Sequence, residues 1–174
     1  GTVDDFTAIA SGTATTYGDV SMTTAGVWTY TLNNSNSSVQ ALQSGQSLSD
    51  SFTASSADGT TQTITLTISG FNDLPVISTT GSASYSEGAG AVLIQPNLTL
   101  SDVDNSTLQG ATITITNLLA GDVLEFSNTT LINGSFDATT GVMTLTGAAS
   151  TTDYQSALRS VTYRSTSTDP TQNG

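Results

Sequence analysis

The sequence predicts an all-β fold arranged as tandem sandwich modules, and three observations predict it. Roughly one residue in three is Ser or Thr, with 16 Gly against only 3 Pro, a composition that favours strands and turns over helix. Apolar residues recur at every second position in several stretches, the period of a half-buried strand. The two halves of the chain also repeat one another, at a spacing of roughly a hundred residues, the size of an ordinary β-sandwich.

The elements follow in order. Residues 1–16 carry little pattern beyond Val3-Asp4-Asp5-Phe6. In residues 26–32 (GVWTYTL), Trp28, Tyr30 and Leu32 alternate with Thr29 and Thr31. Residues 23–26 supply a turn, so 19–32 reads as a hairpin. Its Trp28 and Tyr30 are expected in the core beside Leu32, in preference to a sugar-stacking platform. Residues 38–42 (SVQAL) read as one helical turn, with Ser38 as N-cap and Val39 and Leu42 on one face. Residues 48–55 read as a strand, Ala57-Asp58-Gly59 as a turn, and 60–69 as a strand with Ile64, Leu66 and Ile68 inward. Pro75 closes the next turn and a new strand starts at Val76. Residues 92–100 and 110–118 read as strands, the second with Ile113 and Ile115 inward, and 123–127 as a short one. Residues 135–146 form a hairpin turning at Thr139-Thr140-Gly141. Residues 153–158 (DYQSAL) are a helical turn that stacks Tyr154 on Leu158 at i,i+4, and a strand over 161–164 runs into Thr168-Asp169-Pro170.

The internal repeat sets the modules. GDVSMTTAGVWTYTL (18–32) matches GSFDATTGVMTLT (134–146), VQAL (39–42) matches YQSAL (154–158), and FTASSADGTTQ (52–62) matches YRSTSTDPTQ (163–172). The expected division is 1–73 and 74–174. Residues 63–70 have no counterpart in the second module, and 76–100 have none in the first. Each module is therefore expected to lack an edge or closing strand, as in a piece cut from a longer array. The alternative is a strand supplied by a neighbouring chain.

Composition excludes several functions. Fourteen acidic residues face only Arg159 and Arg164, for a net charge of −12. That balance argues against nucleic acid as a partner, which needs a basic footprint, and against anionic membrane surfaces. No apolar run is long enough to insert into a bilayer. With no His, Cys or Lys, there is no His-based triad, thiol nucleophile, Schiff-base lysine, P-loop or ordinary zinc site. Carboxylate-pair chemistry of the glycosidase kind survives on composition alone, and Asp102 and Asp104 carry no cleft that a sequence can display. The expectation is a protein that is not an enzyme.

The acidic stretch over residues 68–105 points to a cation. It holds Asp73, Glu87, Asp102 and Asp104, with amide oxygens at Asn72 and Asn105 and no basic residue. Hard oxygen donors gathered where one module ends and the next begins suit Ca²⁺, which takes about six to eight oxygens. Each residue also has a plainer reading. Asn72-Asp73 is equally a turn before Pro75, and Asp58 and Asp169 are ordinary Asx-turn residues. Asp4 and Asp5 resemble Asp104 and Asn105 in position, as if serving another joint upstream.

The run GVWTYTLNNSNSSVQALQSGQSLSDSFTASSADGTTQTITLTISGFNDLP resembles the VCBS repeat of large bacterial surface proteins. The second module, from YSEGAG through SDVDN, DATTGVMTL and DYQSALRSVTY, is similar to the cadherin-like repeats of the same giant RTX-type adhesins. The resemblance implies immunoglobulin/cadherin-like Greek-key sandwiches strung in rows outside the cell, at the cell surface, as in biofilm adhesins. It also implies Ca²⁺ between modules. Glu87 falls on the family's early-strand Glu, Asp102 and Asp104 on its Asp-x-Asp, and Asn72 and Asp73 on the Asn-Asp of the linker. Asp169 falls on the Asp before the last strand. Gly70 and Leu74 replace two other linker ligands, so one or two ions are implied, fewer than a three-ion cluster. The partners implied are neighbouring repeats of the same protein. An adhesin module that takes a cell-surface glycan or protein is the alternative.

Overall fold

The computed structural model describes residues 5–168. The chain is all-β in character, with antiparallel strands in several sheets and two helices among the described residues. It divides into two compact units, the first ending at Asp73 and the second beginning at Leu74.

The first unit contains β1 (Ile9–Ala14), β2 (Gly18–Met22), β3 (Trp28–Leu32), α1 (Ser37–Gln40), β4 (Ser47–Ser55) and β5 (Thr61–Ser69). One sheet has the order β1-β2-β3, and β4 with β5 forms the other. Val20 and Met22 from the first sheet meet Phe52 and Ala54 from the second, with Ile9, Ile64 and Leu66 packed around them. The hairpin turn between β2 and β3 needs Gly26, whose φ is 77°; a side chain there would also run into the Phe6 ring. Residues 6 and 7 lie antiparallel to the end of β4, through the Phe6–Ser56 bridge and a 2.7 Å bond from the Thr7 N–H to the Ser55 carbonyl.

Three expectations for this unit are corrected. β1 is a strand that period-two patterning misses, because five of its six residues are exposed and none alternates with a core position. The N-cap of α1 is Asn36, not Ser38. The Asn36 side chain reaches two residues forward to accept from the Ser38 N–H at 2.9 Å, which leaves Ser38 inside the first turn. Val39 and Leu42 are buried as expected. Finally, Trp28 and Leu32 are not core residues. They share a sheet face with Val20 and Met22, since Met22 pairs with Trp28 and Gly18 with Leu32. Yet β3 ends its sheet, and Trp28 stays 41% and Leu32 36% exposed. Trp28 reaches the core only by an edge contact to Phe52, at a centroid distance of 5.5 Å.

The second unit contains β6 (Val76–Ser78), β7 (Val92–Leu93), β8 (Thr99–Ser101), β9 (Thr107–Thr114), β10 (Asp122–Glu125), β11 (Asn133–Asp137), β12 (Val142–Ser150), α2 (Thr151–Ser160) and β13 (Thr162–Ser165). Its sheets run β10-β13-β7, β11-β12-β9 and β6-β8. Leu124 of one sheet and Met143 and Leu145 of another enclose a core with Tyr154, Ala157 and Leu158 of α2, plus Leu98, Ile132 and Val161. The strand expected over 92–100 is broken in two at Pro96. Proline offers no N–H to a ladder, and β7 and β8 go to different sheets. The strand expected over 110–118 starts earlier, at Thr107, and stops at Thr114. The helical turn at 153–158 is a ten-residue helix, closed at its start by a capping box in which the Ser150 hydroxyl accepts from the Asp153 N–H.

The two units share an order: hairpin, helix, strand. β2 and β3 precede α1 and β4, and β11 and β12 precede α2 and β13. The turn glycines Gly26 and Gly141 both have positive φ, 77° and 71°.

Candidate functional site

The Asp-Val-Asp loop follows β8. There the Asp102 Oδ1 accepts from the Asn105 N–H at 3.0 Å and the Asp104 N–H at 3.3 Å, folding the loop back on its first carboxylate. Val103, between the two aspartates, projects into solvent, while Asp104 is buried. The Asp104 Oδ1 accepts from the Asn105 side-chain amide at 3.0 Å. The candidate metal ligands here are hard oxygens, the chemistry a calcium ion takes. The structure therefore brings Asp102, Asp104 and Asn105 together.

The remaining sequence-predicted ligands are placed as follows. Glu87 is exposed at a turn closed by the Ala89 N–H on the Ser86 carbonyl at 2.9 Å. Asn72 and Asp73 are exposed at the end of the first unit, where the Asn72 amide donates to the Asp73 carbonyl at 2.7 Å. Asp4 and Asp169 lie outside the described residues. Among the described residues of either unit, no three acidic side chains gather into a ready metal cluster.

Two other carboxylates are more deeply embedded, and sequence reasoning passed over both. Asp50, in β4, is 3% exposed. Its Oδ2 accepts from the Thr15 hydroxyl (2.6 Å), the Tyr30 hydroxyl (2.7 Å) and the Tyr17 N–H (2.9 Å). Its Oδ1 accepts from the N–H groups of Ser51 (2.9 Å) and Thr16 (3.2 Å). Burial opposes ionisation of this carboxyl, but the bonds from Thr15, Tyr30, Tyr17 and Ser51 outweigh it and hold the group far below the usual carboxylate range. Burial, then the Asp50 bond, pushes the Tyr30 phenol up. These contacts fasten the loop over residues 15–17 and β3 to β4. A signal was available: Asp50 has the parity of Phe52 and Ala54, so an acidic residue stands at an inward position of an alternating strand.

Asp122 is the counterpart fastener in the second unit. It is buried, and accepts from the Tyr163 hydroxyl at 2.6 Å and the Leu119 N–H at 2.9 Å. Burial, followed by that bond to Asp122, pushes the Tyr163 phenol up to about 12. Tyr85 stands edge-on to Tyr163 at 5.1 Å and donates to the Ser165 carbonyl.

Both basic residues are engaged within the second unit. The Arg159 Nε donates to the Leu98 carbonyl at 2.6 Å, and Arg164 pairs with Glu125 at 2.7 Å on the surface. Among the described residues no helix is long and apolar enough to cross a membrane.

No protein-family model matches the chain. An alignment 110 positions long, covering 59% of the chain, is 31% identical to part of Halomucin from Haloquadratum walsbyi (strain DSM 16790 / HBSQ001). The match covers 1% of that protein, so what this chain is similar to is one small segment of a very long polypeptide.

Proposed function

We propose that the chain is a non-enzymatic structural segment of an extracellular, cell-surface protein, in which tandem β-sandwich repeats extend the molecule and Ca²⁺ stiffens the joint between them. The observation that carries this reading is the recurrence of hairpin, helix and strand in both units. Likeness to one short segment of Halomucin, a very long polypeptide, fits a repeat segment within a longer protein. The VCBS-like and cadherin-like readings of the two units belong to the proposal, as do neighbouring repeats as the partners. Asp102 and Asp104, with Glu87, Asn72, Asp73 and Asp169, are the residues that would hold the ion. Bound there, Ca²⁺ would neutralise carboxylates that otherwise repel.

The test is a Ca²⁺ titration of the whole chain by calorimetry, with small-angle scattering before and after. Binding at about 10⁻⁴–10⁻³ M is expected, the range of extracellular modules. At free Ca²⁺ a hundredfold above Kd the folded state gains about 2.7 kcal/mol. The double variant Asp102→Asn, Asp104→Asn should lose both effects. A wild-type chain whose heat, shape and thermal midpoint all ignore Ca²⁺ refutes the calcium part of the reading.

A further inference from the structure

The internal repeat allows one unit to be read against the other, strand by strand. With Gly26 aligned on Gly141, Trp28 corresponds to Met143 and Tyr30 to Leu145. Met143 is 2% and Leu145 0% exposed, whereas Trp28 is 41% exposed. The difference lies in what flanks them. β12 has β11 on one side and β9 on the other, with Met143 opposite Ile113 and Leu145 opposite Ala111. β3 has β2 on one side, and among the described residues no strand pairs with its other side.

The backbone repeats this contrast. In an antiparallel pair, hydrogen-bonded and non-bonded residue pairs alternate. The Thr23 N–H binds the Val27 carbonyl and the Asn33 N–H binds the Tyr17 carbonyl, which sets the bonded pairs of β2 and β3 at odd-numbered residues. The N–H and C=O groups of Trp28 and Tyr30 therefore point away from β2, along the open edge. In the second unit the Ile115 N–H binds the Gly141 carbonyl, and by the same alternation Met143 and Leu145 exchange bonds with Ile113 and Ala111. The groups that β9 satisfies on β12 are the ones that, among the described residues, no strand pairs with on β3.

We infer that the outer edge of β3 is a strand-acceptor site, which takes an uncharged extended polypeptide segment laid antiparallel, with small or aliphatic residues opposite Trp28 and Tyr30 as Ile113 and Ala111 lie opposite Met143 and Leu145. Main-chain bonds supply the affinity and the alternate side chains the register. The occupant is a neutral segment rather than a second copy of the chain, because two molecules at −12 each repel on approach.

The probe is the peptide Thr-Leu-Gln-Gly-Ala-Thr-Ile-Thr, the sequence of β9, added to the whole chain. Trp28 is the only tryptophan and lies in β3, so its emission reports from this edge strand. Expected results are a saturable shift of that emission to shorter wavelength and slowing of amide exchange at Trp28 and Tyr30 by about tenfold or more. The same peptide carrying Ile113→Pro, which removes the N–H that position contributes, should do neither. Unchanged emission and exchange at peptide saturation of solubility overturn the proposal. So does an equal response to the proline peptide, or an emission shift produced by raising the protein concentration without peptide, which assigns the edge to self-association.

Discussion

Replacing Asp50 by Asn keeps the side chain's shape and removes its charge and half its accepting capacity. An amide nitrogen put in place of Oδ1 faces the N–H groups of Thr16 and Ser51; put in place of Oδ2 it faces the Tyr17 N–H and two hydroxyls. In the Oδ1 placement, two charge-assisted bonds are lost. At about 1.5–3 kcal/mol each, less some relaxation, the first unit should lose about 3–5 kcal/mol. For a domain of this size that lowers the melting midpoint by about 12 °C or more. Trp28 fluorescence follows the first unit selectively, in denaturant or on heating. The pH dependence has a definite sign. The folded-state pKa of Asp50 is depressed, so its contribution is complete above the ordinary Asp range. It falls away as pH drops below that range and the unfolded state takes up a proton that the folded state refuses. The gap between wild type and Asp50→Asn should thus narrow on going from about pH 7 to pH 3. A gap under about 1 kcal/mol at neutral pH, or one that ignores pH over this interval, refutes the argument.

Further predictions concern the second unit. Gly147 sits at φ 136° in the irregular part of β12, and a Cβ there would strike the Leu131 carbonyl oxygen. Gly147→Ala should cost more than about 3 kcal/mol or prevent folding, read as loss of near-ultraviolet tyrosine dichroism. Ser150→Ala removes half of the capping box of α2 and should cost about 1 kcal/mol in chemical denaturation. Tyr163→Phe leaves Asp122 without its 2.6 Å donor and should cost about 1–3 kcal/mol. In wild type, the Tyr163 phenol should be among the last to ionise in an ultraviolet titration, near pH 12.

Strands whose side chains alternate were legible in advance, β5 and the two hairpins above all, because burial on one face imposes the period that the eye reads. β1 escapes because its burial imposes no period: the strand is held by pairing with β2, and Ile9 alone of its residues packs against the core. The break at Pro96 is written in the sequence, but the apolar run on either side of it masks the signal. The exposure of Trp28 is not readable from the sequence, since a side chain can point inward and still lie on a strand that ends its sheet. That depends on which strand lies next door, a property of topology. For the candidate site, the Asp102 loop was legible as a turn and as a carboxylate pair at once, and the fold-back of Asp104 and Asn105 onto Asp102 satisfies the first reading without removing the second. Asp50 belongs to no cluster of acids, and its signal is subtler: an isolated acid in an inward register marks a buried fastener.

The placement of the two arginines bears on durability. Proteases of the trypsin type cut after Lys or Arg, and this chain has no Lys. The bond after Arg159 lies in α2, with Arg159 tethered to the Leu98 carbonyl, and the bond after Arg164 lies within β13. A protease needs several extended residues in its cleft, so neither bond can be cut without local unfolding of the second unit. Up to Asp73 the chain offers such enzymes no cleavable bond whatever.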